Sequence, residues 1–127
     1  MKTPDFQKHT LIPAIIQDSV TLKVLMLGYM NQEAFEKTIN EKIVHFFSRS
    51  KNRLWKKGES SGHIQKVNKI FFDCDDDTIL LQVDQVGKAA CHEGYVSCFF
   101  RELDNDQFSI IENKVFDPDT VYKKSSS

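Results

Sequence analysis

Short runs of apolar residues, several of them alternating with polar ones, divide the chain into segments of strand length. Residues 11–27, LIPAIIQDSVTLKVLML, carry two such runs on either side of Asp18-Ser19 and predict a β-hairpin. Further strands are predicted at 43–47, 69–74 and 79–86, and a second hairpin from 97–103 and 107–116 with its turn at 104–106. The pattern is mainly that of an antiparallel β protein.

One segment has helical spacing instead. Asn31 is a typical N-cap residue, and the following residues, up to position 42, place Phe35 and Ile39 one helical turn apart. Residues 48–67 are polar, basic and punctuated by glycine, so they are predicted as a loop despite a possible strand at 53–55. The predicted fold class is α+β, a mostly antiparallel β-sheet with one main helix.

Length and composition favour a single small domain. The chain has 127 residues, 40% of them hydrophobic, and a formal net charge of -1. One domain over residues 1–127 is expected, with 1–10 and 123–127 flexible. The balanced charge indicates neither a nucleic-acid partner nor a membrane partner, and neither a spanning segment nor a secretory leader is recognisable. We expect a cytoplasmic protein whose odd number of cysteines serves thiolate chemistry, not a disulfide framework.

The three cysteines are the first candidates for chemistry. Cys74, Cys91 and Cys98 match in number the three protein ligands of a catalytic zinc, which keeps a fourth position open for water. Their spacing is not that of zinc fingers, so three buried free cysteines are the alternative. His92 could be a fourth ligand or an exposed loop histidine. Because adjacent residues seldom reach one metal, we favour it as a general base.

An acidic run surrounds the first cysteine. Asp73, Asp75 and Asp77 alternate, so in an extended chain they would share one face while Cys74 occupies the other. Hard oxygen ligands on one face suit Mg²⁺ or Ca²⁺. The sequence lacks the Gly and Glu of an EF-hand loop, and the alternative is a solvated acidic turn.

The predicted loop 48–67 mixes cations, hydroxyls and glycines, as phosphate binding requires. Trp55 could stack on a base or belong to the core. The candidate substrate-binding residues are Arg49, Lys51, Trp55, Lys57, Ser60, Ser61, Gly62 and His63.

These motifs together resemble a known family. The sequence SRSKNRLWKKGESSGHIQKV, followed by DCDDD, GKAACHEGYVSCFF and FDP, is similar to that of phosphoribosyl-AMP cyclohydrolases, which open the adenine ring of a phosphorylated nucleotide in histidine biosynthesis. The resemblance extends from about Val24 to Tyr122. The sequence departs from the family pattern at one loop. It has Lys-Ala-Ala between Gly87 and Cys91 where the family usually has two residues.

The resemblance implies that Cys74, Cys91 and Cys98 bind Zn²⁺ and that Asp73, Asp75 and Asp77 bind Mg²⁺. It also implies an intertwined homodimer with metal sites at the interface, completed by residues of both subunits. Cys74 then need not meet Cys91 and Cys98 of its own chain. Many family members are fused to a pyrophosphohydrolase, and this chain is expected to act without that domain.

The implied reaction agrees with the residues present. The N1-linked phosphoribosyl group makes C6 of the purine electrophilic, hydroxide generated at zinc attacks C6, and the C6–N1 bond breaks. His92 is the candidate for accepting the proton of water and returning one to the leaving nitrogen. A structural zinc module that binds a partner or RNA is the alternative. A zinc deaminase is excluded because H-x-E and P-C-x-x-C are missing.

Overall fold

The computed structural model describes residues 2–115. The predictions for the FDP sequence at 116–118 and for a flexible tail at 123–127 lie outside this part of the chain. Within it there are eight strands and one helix: β1 Ile12–Asp18, β2 Val24–Met30, α1 Gln32–Glu41, β3 His45–Ser48, β4 Arg53–Lys56, β5 Gln65–Phe72, β6 Ile79–Gln85, β7 Arg101–Asp104 and β8 Gln107–Ile110. The α+β fold class is confirmed.

A four-stranded sheet with the order β2-β1-β6-β5 forms the centre of the molecule. The predicted hairpin of β1 and β2 is confirmed as an antiparallel pair, and so is the pairing of β5 with β6. Along β1 the side chains of Ile12, Ala14 and Ile16 are fully buried while their neighbours are less so, which is the period of two expected of a sheet with one covered face. Strands β1 and β6 pair in parallel, which the sequence pattern did not predict.

The single helix covers that buried face. As predicted, Asn31 is its N-cap, and the Asn31 Oδ1 atom accepts a hydrogen bond of 2.9 Å from the Ala34 amide. Lys42 caps the C-terminus of the helix. It adopts a left-handed conformation, and its amide donates a hydrogen bond to the Thr38 carbonyl. Phe35 is buried against the sheet, so the helix is fixed on the core by its apolar face.

The prediction that residues 48–67 form a loop is wrong in part. Residues 53–56 form strand β4, which pairs with β3, and β5 already begins at Gln65. Packing explains the error, because the Trp55 ring lies 5.1 Å from the Phe46 ring and gives this polar segment an apolar contact with the core. The true connections are the turn 49–52 and the loop 57–64.

Between β6 and β7 the chain has no regular strand, although the sequence predicted one from residue 97. Ser97 is buried there, and its hydroxyl donates to the Val24 carbonyl at 2.8 Å. The hairpin of β7 and β8 forms as predicted, with shorter strands and with every residue exposed. No helix among the described residues is long and apolar enough to cross a membrane.

Candidate active site

Two of the three cysteines lie together. Cys91 is buried in a turn in which its amide donates to the Tyr95 carbonyl at 3.2 Å and its carbonyl accepts from the Gly94 amide at 3.0 Å. Cys98 is exposed, and its thiol contacts the Cys91 thiol. Burial, reinforced by the adjacent Cys91 sulfur, raises the pKa of Cys98 to about 11. The Cys98 thiol is therefore protonated at neutral pH, and a bound metal would displace that proton.

The fold holds this pair by anchoring the irregular segment to β2. The Cys98 amide donates to the Leu25 carbonyl at 2.7 Å, next to the hydrogen bond from the Ser97 hydroxyl to β2. On the other side of the pair, the Tyr95 and Phe100 rings stack with their centroids 3.8 Å apart. These contacts fix the Cys98 end of the segment between the two cysteines.

Cys74 is separate from them. It is exposed in the turn between β5 and β6, and the Cys74, Cys91 and Cys98 sulfurs do not gather within 4.8 Å of one another in a single chain. Three sulfurs on one zinc therefore remain a prediction. The resemblance implies that a second subunit would supply Cys74.

The carboxylates do come together, but not for the predicted reason. Asp73, Asp75 and Asp77 place one oxygen each within 4.8 Å of the others, the only such set of three or more potential metal ligands among residues 2–115. The chain is not extended here. It turns, because Asp73 Oδ1 accepts from the amides of Asp77 at 3.0 Å and Thr78 at 3.2 Å.

The carboxylates of this cluster change one another's pKa values. The hydrogen bond with Asp77 lowers the pKa of Asp73, and the same contact with Asp73, followed by that with Asp75, raises the pKa of Asp77. The two shifts have opposite directions because the carboxylates interact, so the titration belongs to the cluster and not to either residue. A divalent cation bound to the three carboxylates would offset their mutual repulsion.

A cavity of about 220 Å³ lies beside the cysteine pair. It brings together five of the residues singled out in the sequence with three of their neighbours: Trp55, Lys56, Lys57, Gly58, Glu59, Ser60, Ser61 and His92. His92 is exposed at this cavity, directly after the buried Cys91. An imidazole so placed can exchange protons with a molecule bound in the cavity.

Lys57 connects the cavity with the cysteines. Its amine donates to the Ala90 carbonyl at 2.6 Å, across 33 residues of sequence. Burial lowers the pKa of Lys57, while the nearby thiols of Cys98 and Cys91 act in the opposite direction. The sequence assigned Lys57 to phosphate, and it gave no sign of this contact because Ala90 has no polar side chain.

The turn after Lys57 is shaped by its glycines. Gly58 has a φ of 87°, and a Cβ there would lie 2.5 Å from the His63 carbonyl carbon. The His63 ring lies close to Gly87, and burial, followed by the charge of Lys57, lowers the pKa of His63. Gly62 and His63 are not among the residues that line this cavity, although they follow Ser60 and Ser61 in the same turn.

Arg49 and Lys51 lie in adjoining depressions. A cavity of about 500 Å³ is lined by Gly28, Tyr29, Phe46, Phe47, Ser48, Arg49, Ser50 and Trp55. The Arg49 guanidinium lies 4.0 Å from the centre of the Tyr29 ring, a partner that the sequence did not suggest. Lys51 lines a third cavity of about 310 Å³. Trp55 borders all three, so the predicted binding residues surround one tryptophan.

Comparisons with known proteins identify the family of this chain. The family model described as phosphoribosyl-AMP cyclohydrolase matches residues 26–100, a range that includes every candidate residue. A phosphoribosyl-AMP cyclohydrolase of Oleidesulfovibrio alaskensis is 54% identical over 121 residues, covering 94% of this chain and 93% of that protein. One from Nitratidesulfovibrio vulgaris is 56% identical over 121 residues, covering 94% and 96%.

A longer relative matches over part of its length. The histidine biosynthesis bifunctional protein HisIE of Wolinella succinogenes is 54% identical over 118 residues, which is 93% of this chain and 51% of that protein. Family match and identity both extend over the cavity, the cysteine pair and the acidic turn. The chain therefore belongs to the phosphoribosyl-AMP cyclohydrolase family of hydrolases.

Proposed function

We propose that this protein hydrolyses the C6–N1 bond of the adenine ring of 1-(5-phosphoribosyl)-AMP, in L-histidine biosynthesis. The observation that carries the proposal is the cavity that places His92 and Lys57 beside the paired Cys91 and Cys98 thiols, in a chain of this family. The three free cysteines are in keeping with a reducing compartment such as the cytoplasm.

Zinc suits the cysteine pair. Thiolates are preferred zinc ligands, and Cys91 and Cys98 already lie together, which would leave positions for a third sulfur and for water. Zinc at this site would lower the pKa of a bound water to about 7 and so supply hydroxide near neutral pH. Magnesium suits the hard oxygens of Asp73, Asp75 and Asp77.

The residues of the chain supply the remaining steps. His92 accepts a proton from the attacking water as its oxygen bonds to C6, and it returns that proton to N1 as the C6–N1 bond breaks. One water molecule is consumed and no other group leaves. Trp55 provides an aromatic face for the purine, since it borders all three depressions.

The two phosphates require cations. Arg49 and Lys51 each line a depression that Trp55 borders, and the turn from Ser60 to His63 adds hydroxyl and amide donors. Lys57 has a second role in this proposal. One of its donors is held by Ala90, which keeps its charge beside the cysteines, and the ammonium group has two more donors to offer a bound anion.

A homodimer would complete the zinc site. Cys74 is exposed and its sulfur does not gather with the other two in one chain, so we propose that the third ligand comes from another chain. The hairpin of β7 and β8 carries large apolar side chains that are mostly exposed, Leu103 at 63%, Phe108 at 69% and Ile110 at 62%. Exposed apolar side chains grouped in this way mark association surfaces. We propose that this hairpin packs on the partner subunit.

The reaction itself is tested directly. Purified protein incubated with phosphoribosyl-AMP should give a product that is heavier by one water molecule, as followed by mass spectrometry. A zinc-selective chelator should abolish turnover, and added Zn²⁺ should restore it where Mg²⁺ alone does not. Zinc-loaded protein that gives no product would instead support a structural zinc module that binds a partner or RNA.

Replacing His92 with Ala should lower kcat by about 10²- to 10⁴-fold, the usual contribution of a general acid or base. Zinc content should stay unchanged, since His92 is not proposed as a ligand. His9→Ala, at an exposed histidine outside the cavity, is the matched control and should retain the wild-type kcat. A His92→Ala enzyme with normal kcat and normal zinc would refute the assignment.

Replacing Arg49 with Ala should raise KM by about 10- to 100-fold, because a hydrogen bond to a charged group contributes about 1.5 to 3 kcal/mol. Arg49→Lys should give an intermediate KM, since it keeps the charge and loses the stacking on Tyr29. Lys37→Ala, on the exposed side of the helix, is the control. An unchanged KM for Arg49→Ala would show that the phosphates bind elsewhere.

Phe108→Glu should convert the dimer to a monomer, because it places a charge in the proposed apolar interface. Light scattering after gel filtration measures the mass, and metal analysis should show zinc content falling in parallel. Cys74→Ser is the matched variant, which should lose zinc affinity while its exposed position leaves the fold intact. A Phe108→Glu monomer that retains full zinc affinity would contradict assembly of the site from two chains.

A further inference from the structure

The N-terminal segment lies on the acidic turn. The Asp5 amide donates to the Asp76 carbonyl at 2.9 Å, and the Lys2 amine lies 2.9 Å from Asp76 Oδ2. Pro4, between them, is buried although its neighbours are not. A segment whose polar sequence predicts little structure is thus attached to the turn that carries the carboxylate cluster.

Aromatic packing attaches the same segment to the core. The Phe6 ring lies 6.0 Å from the Phe35 ring of the helix, and the Phe35 ring meets the Phe72 ring edge-on at 6.2 Å. Phe72 is the last residue of β5 and directly precedes Asp73. The N-terminal segment therefore contacts the acidic turn directly. Through Phe35 it is also connected to the end of β5, which leads into that turn.

The hydrogen bond from Asp5 is made to Asp76, a residue with a strained backbone conformation. Asp76 has a φ of 60°, in the left-handed region that non-glycine residues adopt at a cost. It is also the one aspartate of the run from 73 to 77 that is not part of the clustered set. Its carbonyl belongs to the peptide group that leads into Asp77, so the hydrogen bond from Asp5 fixes the backbone immediately before a clustered carboxylate.

Two hydrogen-bonded groups thus place Asp77. From inside the turn, Asp73 Oδ1 accepts the Asp77 amide, and from outside, the Asp5 amide holds the preceding carbonyl. The ion pair of Lys2 with Asp76 adds little energy, since the Lys2 side chain is mostly exposed. The ion pair does offset the negative charge of Asp76, which would otherwise add to the charge of the cluster.

We propose that residues 2–6 position the Asp73, Asp75 and Asp77 carboxylates for a divalent cation, acting as a brace on the turn. The inference rests on the proposed cation site at these three residues. Groups that orient metal ligands without touching the metal commonly change its affinity by about 10- to 100-fold. Coupling between sites is reciprocal, so a cation bound at the cluster must also stabilise the docked N-terminal segment by the same factor.

The first test compares cation affinities. Zinc-loaded full-length protein and a variant lacking residues 2–5 are titrated with Mn²⁺, a spectroscopic probe for the magnesium site. The deletion should weaken Mn²⁺ binding by about 10-fold or more while zinc content stays unchanged. Phe6→Ala should act in the same direction, and Lys2→Met should change the affinity by less than about threefold, as expected of an exposed ion pair.

Two controls separate positioning from general stability. Asn31→Ala removes the helix cap and lowers overall stability without touching the turn, so it should leave Mn²⁺ affinity unchanged. Val20→Ala truncates an exposed apolar side chain in the turn after β1. It should alter neither the Mn²⁺ affinity nor the overall stability. If the deletion variant binds Mn²⁺ as tightly as the full chain, the brace is refuted.

The second test needs no variant and therefore does not depend on the deletion folding. Amide hydrogen exchange of the N-terminal peptide is followed in zinc-loaded protein with and without Mn²⁺. Mn²⁺ should slow exchange of the Asp5 amide, and exchange that does not respond to bound Mn²⁺ would overturn the proposal. Failure of the unaltered protein to bind Mn²⁺ at all would instead reject the cation site, a result distinct from loss of the brace alone.

Discussion

The candidate site depends on the hydrogen bonds that attach residues 97 and 98 to the edge of strand β2. The segment from Gly87 to Phe100 has no strand partner of its own, so its buried polar groups need specific acceptors. Ser97 and Cys98 find them in the carbonyls of Val24 and Leu25. A buried hydroxyl without such a partner would cost about 1 to 3 kcal/mol, which makes this attachment a strong constraint on where the segment can lie.

From that attachment the chemistry of the site follows. Cys98 is placed beside Cys91, and the partly buried Lys57 amine donates to the Ala90 carbonyl in the preceding residues. The arrangement combines two thiols with a cation, and burial disfavours the charged forms of Cys98 and Lys57. Together with a divalent metal, thiolates and ammonium would offset one another. The protein thus holds in advance a set of groups whose charged forms suit a metal-bound state.

The acidic turn also holds together groups whose charged forms suit a bound metal, here carboxylate oxygens instead of sulfurs. Asp73, Asp75 and Asp77 hold one carboxylate oxygen each within 4.8 Å of the others, closer than their like charges favour, and the contact with Asp73 raises the pKa of Asp77. The internal hydrogen bonds of Asp73 and the contacts of the N-terminal segment both constrain this turn. Cys74 lies in the same turn, so one short segment presents carboxylates and an exposed sulfur together. In the proposed dimer this turn would contribute to both metal sites.

The sequence by itself determined the elements that depend on neighbouring residues. The first hairpin, the Asn31 cap and the hairpin of β7 and β8 were predicted because alternation, capping and turn residues act over a few positions. It also identified the chemical groups, since thiols, carboxylates and an imidazole are recognisable wherever the chain places them. The geometry of the acidic turn was mistaken, because alternation implies an extended chain only where no side chain closes a turn.

Only the tertiary structure decided which distant segments meet. The parallel pairing of β1 with β6, the contact of Lys57 with Ala90 and the stacking of Arg49 on Tyr29 join residues that no local pattern relates. The sequence favoured a loop over the possible strand at 53–55 for the same reason, since the Trp55 ring of β4 packs on Phe46 across the hairpin and not on its polar neighbours. Such contacts depend on complementary shape and burial between elements, which exist only after the chain has folded.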